Sequence, residues 1–131
     1  MGHLLIVDDE ASIRLSLHRF FTKLGYRVTP ARNGYEALEV LEAVDETPPV
    51  DLVITDLVMP DCDGRQLIMQ MRLDYPSMPV IVISGYPAAL LPDAGPDGKP
   101  MPFLAKPFAL DALAEEVQRL LRERPPKSTR E

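Results

Sequence analysis

Short apolar blocks recur along the chain, and most of them stop abruptly at polar residues. Leu4, Leu5, Ile6 and Val7 run straight into Asp8, Asp9 and Glu10. Val50, Leu52, Val53 and Ile54 lead to Asp56, and Val80, Ile81, Val82 and Ile83 lead to Ser84 and Gly85. Phe103, Leu104 and Ala105 lead to Lys106 and Pro107. Continuous apolar runs of this length suit strands covered on both faces, as in a parallel sheet. The pattern predicts strands at 4–7, 50–56, 80–83 and 103–105. A further strand is expected at 26–29, where Tyr26, Arg27, Val28 and Thr29 alternate.

Between the strands the apolar period changes to that of a helix. Ile13, Leu17, Phe20 with Phe21, and Leu24 share a stripe over 12–24, and Gly25 supplies the stop. After a turn at 31–34, Ala37, Leu38 and Leu41 mark a helix over 35–44. Leu67, Ile68 and Met71 mark one over 65–73, and Leu113, Val117, Leu120 and Leu121 one over 110–121. Strands alternating with helices predict an α/β domain of parallel βαβ units.

Residues 85–102 break the rhythm. Pro87, Pro92, Pro96, Pro100 and Pro102 fall there with Gly95 and Gly98. Proline in a helix interior costs about 3 kcal/mol, so at most 88–91 can make a helical turn. The chain is read as one domain over 1–124, with a polar tail at 125–131.

Charge and cysteine content narrow the function. Twenty acidic residues against 14 Lys and Arg give a net charge of -6. That balance disfavours direct binding to nucleic acid. Cys62 stands alone, which precludes an internal disulfide and fits a reducing compartment. The apolar run at 4–7 is too short for a signal peptide, and no apolar run is long enough to span a membrane. The cytoplasm is the expected location. His3 and His18 are expected at the surface rather than as phosphohistidines.

In an open parallel sheet, ligands bind beyond the carboxyl ends of the strands. Asp8 and Asp9, Asp56, Ser84 and Lys106 all lie at such ends. Any one of the acids alone reads as a turn or helix cap. Their joint placement points to a single pocket. Clustered carboxylates repel one another unless a cation sits among them, and oxygen-only ligands suit Mg²⁺. A lysine and a hydroxyl beside them suit a phosphoryl group, and a carboxylate can serve as the nucleophile.

With these residues in view, the chain resembles the receiver domains of bacterial two-component systems, from about Leu4 to Arg122. The motifs that carry the likeness are Val7-Asp8-Asp9-Glu10, Asp56-Leu57-Val58-Met59-Pro60 with Asp63-Gly64, Ser84-Gly85 and Lys106-Pro107-Phe108. The resemblance implies a flavodoxin-like (CheY-like), doubly wound, five-stranded parallel sheet of order 2-1-3-4-5, with its fourth helix irregular or missing. It implies Asp56 as phosphoacceptor, and Mg²⁺ held by Asp9, Asp8, Asp56 and the backbone carbonyl of Val58. Lys106 would pair with phosphoryl oxygens, and Ser84 and Phe103 would form the switch. The Lys106-Pro107 peptide would be cis. Val58 and Tyr86 would flank the pocket, and Val58 offers no group to orient water, so autodephosphorylation should be slow.

The implied partner is a histidine kinase or histidine phosphotransfer domain, docked near Ile13, Arg14 and Leu17 on the first helix, with at least one of Ile13 and Leu17 expected in the core instead. Receivers of hybrid sensor kinases carry similar proline-rich loops. The domain would not be an enzyme beyond Mg²⁺-dependent self-phosphorylation and slow autodephosphorylation. Three other readings compete. A haloacid-dehalogenase-like phosphatase needs an acid where Val58 stands. A nucleotide-binding domain needs a Gly-rich loop after the first strand, which is lacking. A pseudo-receiver, never phosphorylated and acting only as a protein-binding module, would lose Mg²⁺ binding.

Overall fold

A computed structural model describes residues 2–43, 48–57, 64–85 and 102–123. Five strands alternate with helices: β1 (His3–Val7), α1 (Ala11–Lys23), β2 (Arg27–Ala31), α2 (Gly34–Glu42), β3 (Leu52–Asp56), α3 (Gly64–Asp74), β4 (Val80–Ser84), β5 (Phe103–Ala105) and α4 (Leu110–Glu123). All pairings are parallel, and the strand order is β2-β1-β3-β4-β5. This is the expected order. The segment expected to hold an irregular or missing helix falls largely on 86–101, and the expected tail on 125–131. Both lie outside the described residues.

The unbroken apolar runs are explained by two cores, one on each face of the sheet. Leu4, Ile6, Leu52, Ile54, Ile81 and Ile83 pack with Leu17 and Phe21 of α1 and Leu113 and Val117 of α4. Leu5, Val7, Val53 and Val82 pack with Ala37 and Leu41 of α2 and Leu67, Ile68 and Met71 of α3. Successive strand residues point to opposite faces, so both sets must be apolar. At about 25 cal/mol per Å² of apolar surface, this double burial is the main force holding the layers together.

Three expectations are corrected here. Leu24 is 41% exposed rather than inward. It caps α1 with helical dihedrals, one residue before Gly25 turns the chain at φ 102°, so it stands at the open end of the stripe. The second strand extends to Ala31, through residues expected to begin a turn. Pro30 is tolerated because β2 is an edge strand. Arg27 donates its N–H inward to the carbonyl of Gly2, and Asp8 donates to the carbonyl of Ala31. By alternation, the missing N–H of Pro30 falls on the outer rim. Third, His3 is buried rather than at the surface. Its ring nitrogens lie 2.9 Å from the carbonyl oxygen of Pro48 and 2.7 Å from Oγ1 of Thr29, and its N–H donates to Asp51 Oδ2 at 2.7 Å. His18 is half-buried on α1.

The helix starts follow local chemistry. Asn33 caps α2 by accepting from the N–H of Glu36 at 2.9 Å, and Glu36 reaches back to the N–H of Arg32 at 2.8 Å. Among the described residues, no helix is long and apolar enough to cross a membrane.

Candidate functional site

The parallel register delivers the acids to one rim. Val7 pairs with Thr55, and Asp56 with Ile83, so β1 and β3 end side by side. Asp8 follows β1 and is fully buried, Asp9 is exposed, and Asp56 ends β3 almost buried. Oxygen atoms of Asp8, Asp9 and Asp56 lie within 4.8 Å of one another. Carboxylates this close in a buried setting need a cation.

Part of that need is met by Lys106. Its Nζ donates to Asp8 Oδ2 at 3.0 Å, Asp56 Oδ2 at 3.2 Å and Glu10 Oε1 at 3.4 Å. The lysine gets there because β5 pairs with β4, Ser84 opposite Ala105, and the Lys106 N–H bonds the Ser84 carbonyl at 2.8 Å. The Lys106-Pro107 peptide is cis, as expected. Burial pushes the Asp8 carboxyl above its ordinary range, although the N–H of Glu10 and the ammonium of Lys106 pull it down. Burial also works to lower Lys106. The hydrogen bond to Asp8 and the charges of Asp8 and Asp56 outweigh that, leaving its pKa above the usual lysine value.

The backbone around the acids is closely supported. Asp8 Oδ1 accepts from the N–H of Glu10 at 2.9 Å, and the Asp8 carbonyl accepts from Arg14 Nη1 at 2.7 Å. On the other side, the N–H of Gly64 bonds the carbonyl of Leu57 at 2.8 Å, seating the start of α3 against the end of β3. A Cβ on Gly64 would come within 2.8 Å of Leu57 Cα and closer still to the Asp56 carbonyl oxygen. Only glycine allows that approach.

Asp8, Asp9, Asp56 and Lys106 therefore converge as the sequence predicts. Ser84 is fully buried at the end of β4, and Phe103 is half-buried, packed against the α2–α3 core. Val58, whose carbonyl was expected as a ligand, and Tyr86 lie outside the described residues, as does Cys62. On α1 the core reading wins for Leu17, as expected for at least one of Ile13 and Leu17. Leu17 is buried in the core, Ile13 packs beside it, and the Arg14 guanidinium is tied to the Asp8 carbonyl. Sequence reasoning gave Glu10 and Gly64 no role. Glu10 is noticeable only once Lys106 is known to reach it. Gly64 could have been suspected as a helix-start residue with no side chain to pack.

The response regulator receiver domain model matches residues 4–118. The chain belongs to the response regulator receiver domain family. The receiver is 37% identical over 117 residues to the sensor kinase CckA of Brucella abortus, covering 89% of this chain and 12% of that protein. It is 33% identical over 128 residues to the response regulator MprA of Mycobacterium bovis, covering 98% of this chain and 54% of that one. The receiver thus spans about half the length of one curated relative and a small part of the other. Among solved structures, the receiver domain of the hybrid histidine kinase CckA superposes with TM-score 0.75 at 35% identity, covering 92% of this chain and 99% of that chain. TrrA of Thermotoga maritima, in complex with Mg²⁺-BeF, gives 0.74 at 30% identity, with coverage of 92% and 99%.

Proposed function

We propose that this receiver accepts a phosphoryl group on Asp56 from a phosphohistidine of a histidine kinase or phosphotransfer domain. The observation that carries the reading is the placement of Lys106 Nζ between Asp8 and Asp56, with Asp9 at the rim. An oxygen of the Asp56 carboxylate attacks phosphorus. The bond from phosphorus to the imidazole nitrogen breaks, and that nitrogen keeps the electron pair. The product is an acyl phosphate. Lys106 faces the phosphoryl oxygens, and Ser84 donates to them once the group is attached.

The oxygen-only donors Asp8, Asp9 and Asp56 fit Mg²⁺, which would neutralise charge on the transferred group. The Mg²⁺-BeF complex of TrrA supports the same use of the acids here. The domain acts on itself alone: it loads Asp56 and slowly hydrolyses the acyl phosphate. Val58, two residues after Asp56 in the sequence, has no group to orient an attacking water, so a lifetime of seconds would count against this reading. The likeness to the CckA receiver supports a place within a hybrid kinase. The lone Cys62 suits a reducing cytoplasm.

The test is intact mass after incubation with Mg²⁺ and acetyl phosphate, beside Asp56→Ala. One labile phosphoryl adduct, absent from the variant, is expected. No adduct, together with no effect of Mg²⁺ on thermal stability, would favour a protein-binding module that is never phosphorylated.

A further inference from the structure

Glu10 stands at the mouth of the site with no part in the chemistry above. Its backbone N–H fixes Asp8 at 2.9 Å, and its side chain reaches Lys106 Nζ at 3.4 Å. The Glu10 side chain is 57% exposed, whereas that of Lys106 is 16% exposed and that of Asp8 is fully buried. An ammonium has three N–H donors. All three are committed: to Asp8, to Asp56 and to Glu10. An incoming phosphoryl oxygen can reach Lys106 only by displacing one of these acceptors. Asp8 and Asp56 lie at 3.0 and 3.2 Å inside the pocket, so the longer, solvated contact to Glu10 is the one that yields.

We propose that Glu10 is a positioning and specificity-determining residue: it occupies the outward N–H of Lys106 and biases the receiver against small, highly anionic phosphodonors. The inference rests on Asp56 being the phosphoacceptor. The Glu10 carboxylate adds a negative charge where a donor must enter. One unit charge acting across about 6 Å of largely aqueous medium is worth on the order of a threefold change in rate for each charge on the donor. A docked protein partner brings many compensating contacts and can override this bias. A small dianion in solution has none.

Glu10→Gln keeps a carbonyl oxygen for Lys106 and the backbone N–H for Asp8, and removes only the charge. The experiment compares initial rates of Asp56 phosphorylation, followed by intact mass, in wild type, Glu10→Gln and Glu10→Ala. Two donors are used with saturating Mg²⁺: acetyl phosphate, a dianion at neutral pH, and phosphoramidate, with a net single negative charge. The expected result at low salt is a Glu10→Gln gain on the order of ninefold for acetyl phosphate with its two charges, about threefold for phosphoramidate with its one, and convergence of wild type and variant at 1 M salt, where the screening length falls to about 3 Å. Equal rates in wild type and Glu10→Gln, or the same change for both donors at every salt concentration, would overturn the inference. A chain that takes no phosphoryl group from either donor, in wild type as in the variants, would instead remove the phosphoacceptor reading on which it rests.

Discussion

Lys106 and Asp8 lie 98 residues apart in the chain, yet their side chains meet at 3.0 Å on the carboxyl rim of the sheet. Removing the lysine leaves a fully buried carboxylate that, among the described residues, has only the N–H of Glu10 to serve it. Breaking one half of a buried ion pair is far more costly than losing a surface pair. Lys106→Ala should lower the metal-free unfolding free energy by on the order of 3 kcal/mol. Mg²⁺ should recover more stability in the variant than in wild type, since it supplies the missing positive charge. Urea denaturation at neutral pH with a chelator or with Mg²⁺ checks both statements, and an equal Mg²⁺ effect in the two proteins would contradict the second.

The pH dependence has a definite sign. Asp8 is raised above its ordinary value of 3.8, so the folded state holds that proton more tightly than the unfolded chain. Its contribution is present at low pH and is lost as pH rises through the folded-state pKa. Lys106 is raised above 10.5, so its contribution persists through neutral pH and is lost only above that value. With Mg²⁺ chelated, wild type should therefore lose stability relative to Asp8→Asn as pH climbs from about the Asp8 value toward neutrality. Denaturation of the two proteins across that range measures the difference directly. A wild type that gains on the variant over the same range would reverse the assignment.

Gly64 should resist substitution. A methyl group there meets the backbone of Leu57 and Asp56 rather than flexible side-chain ends. Gly64→Ala should cost about 1–3 kcal/mol, as overpacking does. It should also slow phosphorylation of the molecules that remain folded, because the displaced atoms include the Asp56 carbonyl. Thermal melting and the acetyl phosphate reaction report the two effects separately. A fully active Gly64→Ala would show that the helix start shifts without moving Asp56.

The opposite end of the sheet should behave differently. Asp51 accepts the buried N–H of His3, and its own N–H donates to the His3 carbonyl at 2.8 Å. Asp51→Ala strands that donor and should cost about 1–3 kcal/mol. The rate of Asp56 phosphorylation at saturating Mg²⁺ should be unchanged, since the substitution lies at the other end of β3. A large loss of rate at a temperature where the variant is folded would reveal coupling through the strand.

Much of the fold was legible because parallel strands leave a plain record. Every residue of β1, β3 and β4 is buried, and the apolar runs that mark them end where the site begins. The acids were legible as a group for the same reason. Less was visible where side chains act against their type. His3 is polar yet buried, because Thr29 on β2 and Pro48 and Asp51 just before β3 offer it partners from two separate stretches of chain. Leu24 is apolar yet exposed, because it stands at the very end of α1, one residue before the chain turns at Gly25. The contact of Glu10 with Lys106 spans 96 residues and has no local signature.

Pro30 has a consequence for how such chains behave in a crowd. An edge strand with an unbroken row of outward donors and acceptors is a template for another strand, and so a route to aggregation. Pro30 leaves a gap in the donor row of the β2 edge. A stray strand aligning there would strand one of its own carbonyls without a partner. A single residue, chosen for what it cannot donate, thus helps keep neighbouring copies of the domain separate on that side.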